Sequence, residues 1–318
     1  MDRAVRSGSV SEHLDLPEVR TVDLDGPVRY REWAGPDGPT FVCVHGLGGT
    51  HLNWMAVAPA LSRHGRVLAL DLAGFGLTPR AGRGAGLPAN RRLISRFIRA
   101  LATPPVVVIG NSMGGGLATV QAALEPDSVA GLVLTGPALP WTRQVRPEML
   151  IVAGFTFYRI PGLSEWAIRN RATRMGAERI VREALRICCV DPSRVPPEVV
   201  EAQVELTRER EQDRDSIPAF LEAARSLMRV KAHPDFVRRI VDRVTCPVLV
   251  VHGERDRLVP VGLARETVEG RAHWRLDVLE GVGHVPMMEA PDRWLASVED
   301  WLARIGLAAP AALSSDAS

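Results

Sequence analysis

Residues 106–115 read Val-Val-Val-Ile-Gly-Asn-Ser-Met-Gly-Gly. A run of β-branched residues ends at Gly110, Ser112 follows two positions later, and small residues open a helical pattern. Gly110-x-Ser112-x-Gly114 therefore predicts a sharp strand-to-helix turn. Glycines two positions either side of the serine let the backbone pass and hold the hydroxyl clear of a sheet. In a chain with 28 glycines such a pattern can arise by chance, so its meaning rests on partners. A serine hydroxyl becomes a good nucleophile when a base takes its proton and an acid fixes the tautomer of that base. Two later segments offer both groups. Residues 252–256 read His-Gly-Glu-Arg-Asp and follow the apolar run 247–251; residues 281–284 read Gly-Val-Gly-His and follow the run 274–279. Ser112, Asp256 and His284 thus stand in the chain order expected for such a turn. Each lies after a predicted strand, where ligands bind in open α/β sheets. Glu254, two residues before Asp256, is the alternative acid.

The elements that would position these residues can be read from periodicity. Residues 19–24 and 27–33 alternate apolar and polar around Asp25-Gly26, a hairpin signal. Residues 41–44 are a short apolar run typical of a strand buried on both faces, and 66–70 form another. Between them Trp54, Val57, Ala58 and Leu61 have helical spacing, as do Leu93, Ile94, Phe97, Ile98 and Leu101 further on. Strand 106–111, a helix to about residue 124 and strand 132–134 follow. Strands alternating with helices at this interval predict right-handed crossovers and a mainly parallel sheet, an α/β fold. From 137 to 245 strand runs cease and amphipathic helices follow one another, for example 178–187, 197–210 and 217–230, so this stretch reads as a helical insertion docked over the sheet. The two-element pattern resumes at 246 and ends in a helix over 292–305. Residues 1–17 read as a flexible lead-in and the alanine- and serine-rich residues 307–318 as a disordered tail, leaving 18–136 and 246–306 as the core.

Composition narrows the function. The 318 residues carry 39 basic and 37 acidic side chains, a formal net charge of +2, so no strongly charged partner is implied. The basic residues are nearly all arginines and scattered, without interleaved aromatics, which argues against nucleic acid. Cysteines 43, 188, 189 and 246 lack metal-type spacing. Cys43 and Cys246 read as small core residues, and the adjacent Cys188-Cys189 pair as helix packing rather than redox chemistry. Residues 1–14 hold no apolar h-region and no segment is long enough to span a bilayer, so a cytoplasmic, reducing location is expected.

With these motifs in order, the chain resembles the α/β-hydrolase fold family over residues 19–305. His45-Gly46-Leu47-Gly48-Gly49 resembles the family's oxyanion loop, and residues 110–115 its nucleophile elbow. Residues 253–256 resemble its acid loop, and Gly283-His284 with Glu289-Ala290-Pro291 its histidine loop. The resemblance implies a catalytic triad of Ser112, Asp256 and His284, an oxyanion hole from the backbone N–H groups of Leu47 and Met113, and a cap at 137–245. It implies a substrate pocket beside His45, Gly46, Asn111, Phe75 and Val285, with His45 bracing the oxyanion loop. The other acid position of this fold, after Thr135, holds Gly136 and Pro137, which favours Asp256. The remaining histidines (13, 51, 64, 233, 252 and 273) are expected in surface or packing roles. The cap aromatics Phe155, Phe157, Tyr158 and Trp166 are expected in its core rather than on a substrate wall.

The function implied is a cofactor-independent, metal-free serine hydrolase of small or medium apolar esters. The elbow is also similar to that of hydrolases cleaving carbon–carbon bonds in ring-cleavage products, which carry a tryptophan after the histidine where this chain has Val285. Haloalkane dehalogenase and epoxide hydrolase chemistry needs an aspartate at the elbow, and Ser112 argues against both. Acyl transfer to an acceptor other than water stays open, as does a small-molecule receptor on the same fold. The sequence does not set the oligomeric state.

Overall fold

Strand alternation assigns almost every β-branched run to a place in one sheet. The structure, a computed structural model, describes residues 16–138, 145 and 148–308. Among the described residues eight strands are formed: β1 (Arg20–Asp23), β2 (Pro27–Trp33), β3 (Phe41–Val44), β4 (Val67–Leu70), β5 (Val106–Asn111), β6 (Val129–Thr135), β7 (Val248–Gly253) and β8 (Trp274–Leu279). They line up in the order β1-β2-β4-β3-β5-β6-β7-β8. The hairpin β1–β2 and the pair β2–β4 are antiparallel, and all later neighbours are parallel. The sheet is therefore the mostly parallel one the crossovers require, with an antiparallel edge where the three-residue turn Leu24-Asp25-Gly26 joins β1 to β2.

Because side chains alternate across a strand, each central strand feeds two cores. Val42, Val44, Leu68, Leu70, Val106, Val108, Leu132, Leu134, Val248 and Val250 pack on one face. Phe41, Cys43, Val67, Ala69, Val107, Ile109, Val133, Leu249 and Val251 pack on the other. Three helices accompany the first half of the sheet: α1 (Ala58–Leu61), α2 (Leu87–Leu101) and α3 (Met113–Leu124). Helices α4 (Met149–Phe157), α5 (Leu163–Met175), α6 (Ala177–Cys188), α7 (Pro197–Glu209), α8 (Ser216–Lys231) and α9 (Pro234–Val241) lie between β6 and β7. The last three are α10 (Val261–Val268), α11 (Pro286–Glu289) and α12 (Pro291–Arg304).

One contact of the second core reaches the site. Trp294 of α12 is fully buried 6.2 Å from the Trp54 ring, and its indole N–H donates to Thr135 Oγ1 at 2.9 Å. Thr135 closes β6, and its carbonyl accepts from the Ser112 N–H at 3.0 Å. Trp294→Phe leaves the buried hydroxyl without that donor and should cost about 1–3 kcal/mol. Urea denaturation of the two proteins measures it, and an unchanged midpoint would remove this bond from the account.

Most of the expected lead-in and tail fall outside the described residues, as do 139–144 and 146–147 at the start of the expected insertion. The described edges are held rather than free. Leu16 and Leu307 pack against the second core, Arg31 donates to the Pro17 carbonyl, and the Leu307 N–H bonds Leu302 O at 2.9 Å. Trp166 departs from its expected core position: it is 63% exposed on α5. No helix among the described residues is long and apolar enough to cross a membrane.

Candidate active site

Ser112 stands at the joint between β5 and α3 with φ +52° and ψ −114°, a conformation that residues other than glycine rarely adopt. The flanking glycines are required by space. A Cβ on Gly110 would lie 2.5 Å from the Gly114 carbonyl oxygen, and one on Gly114 would lie 2.2 Å from that of Val44. The serine is half-buried, and its hydroxyl has no hydrogen-bond partner among the described residues. Its backbone is tied on both sides: its N–H donates to Thr135 O, and its carbonyl accepts from Gly116 and Ala138. A strained turn held this firmly presents the side chain to whatever enters above the sheet.

Asp256 and His284 come from the loops after β7 and β8, on the same sheet end. His284 Nδ1 lies 2.7 Å from Asp256 Oδ2. The other carboxylate oxygen, Oδ1, accepts from the N–H groups of Leu258 and Val259, each at 2.9 Å. The alternative acid, Glu254, is exposed and accepts from the Gly281 N–H at 3.2 Å instead. Gly136 makes room for the pair, since a Cβ there would meet Asp256 Oδ2 at 3.1 Å and His284 Nδ1 at 3.2 Å. Burial alone would raise the Asp256 carboxyl, but the imidazoles of His284 and His252 outweigh it and hold the group well below the usual carboxylate range.

The expected oxyanion loop is a turn in which Gly46 O accepts from Gly49 N–H at 3.1 Å and Gly48 has φ +75°. Leu47 is its first central residue, a position whose N–H the turn leaves unused. Met113 is the first residue of α3, so its N–H has no partner within the helix and points out at the positive end of the dipole. Gly46 lies directly against the elbow: a Cβ there would be 3.1 Å from Ser112 Cβ and 2.9 Å from Asn111 Oδ1.

Of the other expected pocket residues, His45 and Asn111 face the protein rather than solvent. His45 is fully buried, with Nδ1 2.7 Å from Gly46 O and Nε2 accepting from the Leu72 N–H at 3.1 Å. The Asn111 amide donates to Thr135 O at 3.0 Å and to His284 O at 3.2 Å. Both hold the loops together through these bonds. Phe75 is buried 5.5 Å from the His45 ring, and Val285 is buried in the second core.

Burial pushes the His45 imidazole down to about 4, against the pull of Asp71. The sign follows from linkage. Between pH 6.5 and 4 the unfolded chain takes up a proton that the folded chain refuses, so stability falls as pH falls through that window. The loss should approach about 3 kcal/mol. His45→Gln cannot titrate and should flatten the slope by about 2.4 kcal/mol between denaturation series at pH 7 and pH 4.5. An identical slope in the two proteins would assign the loss to other groups.

Four residues near the site were not singled out from sequence. His252, expected to pack, is fully buried with Nε2 2.8 Å from Val259 O and 3.2 Å from Asp256 Oδ2, so two imidazoles flank the acid. Its place four residues before Asp256, at the end of an apolar run, was the available signal. Asp71, read as part of a tight turn, accepts from the His51 N–H and the Leu77 N–H, each at 2.7 Å, and pairs with His51 Nδ1 at 2.8 Å. Phe220 of α8 sits over Gly48, where a Cβ would meet its ring at 3.4 Å, and packs edge-on against Tyr158 at 5.3 Å. Phe155 packs against Tyr158 in turn at 5.8 Å, so three aromatic rings in contact lead away from Gly48. Lys231, at the end of α8, is the chain's single lysine and only 8% exposed. Burial draws its amine down to about 8, partly offset by the charge of Asp256. Around Cys188 and Cys189 burial raises both thiols, the former to about 12, which keeps them from reactive thiolate chemistry. No group of three metal-ligating side chains occurs among the described residues.

Known proteins share this architecture. The alpha/beta hydrolase fold family matches residues 39–291. The chain is 25% identical over 303 residues to the 2-hydroxy-6-oxo-6-(2'-aminophenyl)hexa-2,4-dienoic acid hydrolase of Metapseudomonas resinovorans, covering 94% of this chain and 96% of that one. It is 23% identical over 271 residues to monoacylglycerol lipase ABHD6 of Mus musculus, covering 84% and 76%. Among solved structures, haloalkane dehalogenase DbeA from Bradyrhizobium elkani USDA94 shares the fold with a TM-score of 0.78 at 21% identity, covering 91% of this chain and 98% of that one. A parallel sheet with a strained serine at the end of β5, joined to a family match over most of the chain and relatives named as hydrolases, gives one conclusion: this protein belongs to the alpha/beta hydrolase fold family and is a hydrolase.

Proposed function

We propose that this protein hydrolyses small or medium apolar esters through an acyl-enzyme on Ser112. The observation that carries the reading is the 2.7 Å pairing of Asp256 and His284 at the same end of the sheet as a half-buried, strained Ser112. His284, held by Asp256 as the tautomer protonated on Nδ1, takes the Ser112 proton on Nε2 as Oγ attacks the ester carbonyl. The carbonyl oxygen becomes an anion received by the N–H groups of Leu47 and Met113, which are fixed before substrate arrives and so need no reorganisation. His284 then gives the proton to the leaving alcohol. Water enters, loses a proton to the same imidazole and releases the acid, restoring Ser112. Nucleophile and proton carrier both come from the chain, so the reading requires no cofactor or metal.

Helices α4–α9 act in this reading as the cap, and the Phe220–Tyr158–Phe155 wall is the surface against which an apolar acyl chain would lie. The relationship to a monoacylglycerol lipase supports the ester. A second reading, cleavage of a carbon–carbon bond in a vinylogous diketone acid, is favoured by the dienoic acid hydrolase covering nearly the whole chain. Val285 after His284 weighs against it.

Initial rates on p-nitrophenyl esters of two, four and eight acyl carbons, beside a 2-hydroxy-6-oxo-dienoic acid, separate the two. The ester reading expects kcat/KM on the best ester to exceed that on the dienoic acid by at least about tenfold, a difference of about 1.4 kcal/mol in transition-state binding. The reverse order assigns the enzyme to carbon–carbon cleavage, and turnover of neither would overturn both.

A further inference from the structure

Glu289 closes α11 and is only 2% exposed, yet no cation pairs with it among the described residues. Its carboxylate is satisfied by backbone alone. Oε1 accepts from the N–H groups of Val190 at 2.9 Å and Asp191 at 2.8 Å. Oε2 accepts from the N–H of Gly283 at 2.7 Å. The first two donors belong to the turn after α6, between β6 and β7 in the chain; the third is the residue before His284. One buried anion therefore holds together two segments about a hundred residues apart in sequence.

The same junction is closed by contacts that do not involve Glu289. The His284 N–H donates to the Cys188 carbonyl at 2.6 Å. Arg194 reaches the Gly281 carbonyl at 3.0 Å. Gly283 has no room for a side chain, since a Cβ would lie 2.4 Å from Cys188 O and 3.0 Å from Cys189 Cα. On its other side His284 is pinned through its carbonyl, which accepts from Asn111 of the elbow at 3.2 Å. The backbone of His284 is thus strung between the elbow and the turn at 188–191, while its ring bonds Asp256.

We infer that Glu289 is a positioning residue that makes the turn at 188–191 part of the seat of His284, so that loosening the cap there slows the serine reaction without touching the substrate. The inference rests on the reading of His284 as the base. A charged carboxylate suits this task because charge-assisted hydrogen bonds in a water-free setting are short and strong. It has two oxygens, one for each segment. A glutamine has one accepting oxygen, and its amide would face N–H donors on the other side, so one of the two ties must fail.

Two variants test this from opposite ends. Glu289→Gln removes the charge. Val190→Pro removes one donor on the cap side alone; Cys189 before it is already extended, with φ −107° and ψ +151°, as a residue preceding proline must be. Amide exchange over 186–192 and 279–286 is followed by mass spectrometry, together with the rate at which a fluorophosphonate labels Ser112. In both variants exchange should rise in both segments but not across the sheet, and labelling should slow by about tenfold or more, with the loss on an ester falling on kcat rather than KM. Faster exchange at 186–192 alone in Val190→Pro, with labelling within about twofold of the parent, overturns the inference. If Glu289→Gln does not fold, Val190→Pro decides. If the parent is not labelled, the catalytic reading fails, while the exchange data still show whether the two segments move together.

Discussion

Ser112→Ala should lower ester turnover by about 10⁴-fold or more while leaving the protein folded. On the proposed mechanism the loss is large because the hydroxyl oxygen forms the covalent bond of the acyl-enzyme. In the proposed mechanism what remains is catalysis by the Leu47 and Met113 N–H donors, which would still polarise a carbonyl and admit direct attack by water. The fold should be indifferent, since the Ser112 side chain has no hydrogen-bond partner among the described residues and alanine bears the positive φ no worse than serine does. Stability should change by less than about 1 kcal/mol. Hydrolysis assays on p-nitrophenyl esters, with a denaturation curve for each protein, measure both. Retained turnover in a folded Ser112→Ala protein would remove this serine from the chemistry.

Asp256→Asn should cost about 10³–10⁴-fold in kcat, and unlike the serine change it should also cost stability. The carboxamide can accept from Leu258 and Val259 with its oxygen, but its NH₂ then faces His284 Nδ1. That contact forces Nδ1 to accept and places the imidazole proton on Nε2, where it can no longer take one from Ser112. His252, 3.2 Å from the same carboxylate oxygen, meets a second clash. The pH dependence follows from the depressed carboxyl. A carboxylate whose folded pKa lies below its unfolded value stabilises the protein above about pH 4, and that stability is lost as pH falls through the folded value. The acid limb of the stability curve should therefore be shallower in Asp256→Asn than in the parent. Parental kcat would mean that the 2.7 Å pairing does not set the His284 tautomer for catalysis, and an unchanged acid limb that it does not stabilise the fold.

The contrast between residues legible in sequence and those that were not has a physical basis. Ser112, Asp256 and His284 each follow an apolar run, and a parallel sheet brings the C-terminal ends of neighbouring runs to one edge, so chain order and strand periodicity already assign all three to the same end of the sheet. The antiparallel start was legible because Asp25-Gly26 sets its own turn. His252 was not recognised beside the acid because its role depends on the loop folding back until Val259 O and Asp256 Oδ2 both meet Nε2. Glu289 was visible as part of a motif, but its partners Val190 and Asp191 belong to a segment with no strand periodicity to place it. Phe220 and Trp166 show the same limit. Helical spacing says which residues share a face and leaves open what that face meets: Phe220 lies on Gly48, and Trp166 lies in solvent. Lys231, one lysine among 39 basic residues, was a compositional signal that pattern reading passed over.

The central claim is that Ser112 is an activated nucleophile, and one measurement addresses it without knowledge of the substrate. The intact protein is treated with a fluorophosphonate and the adduct is located by peptide mass spectrometry. The account predicts about one adduct per chain, on Ser112, forming at a rate that falls by about 10³-fold or more in Asp256→Asn. An inert Ser112 in a folded protein that binds a small molecule tightly would contradict it, and would make the same fold a receptor instead.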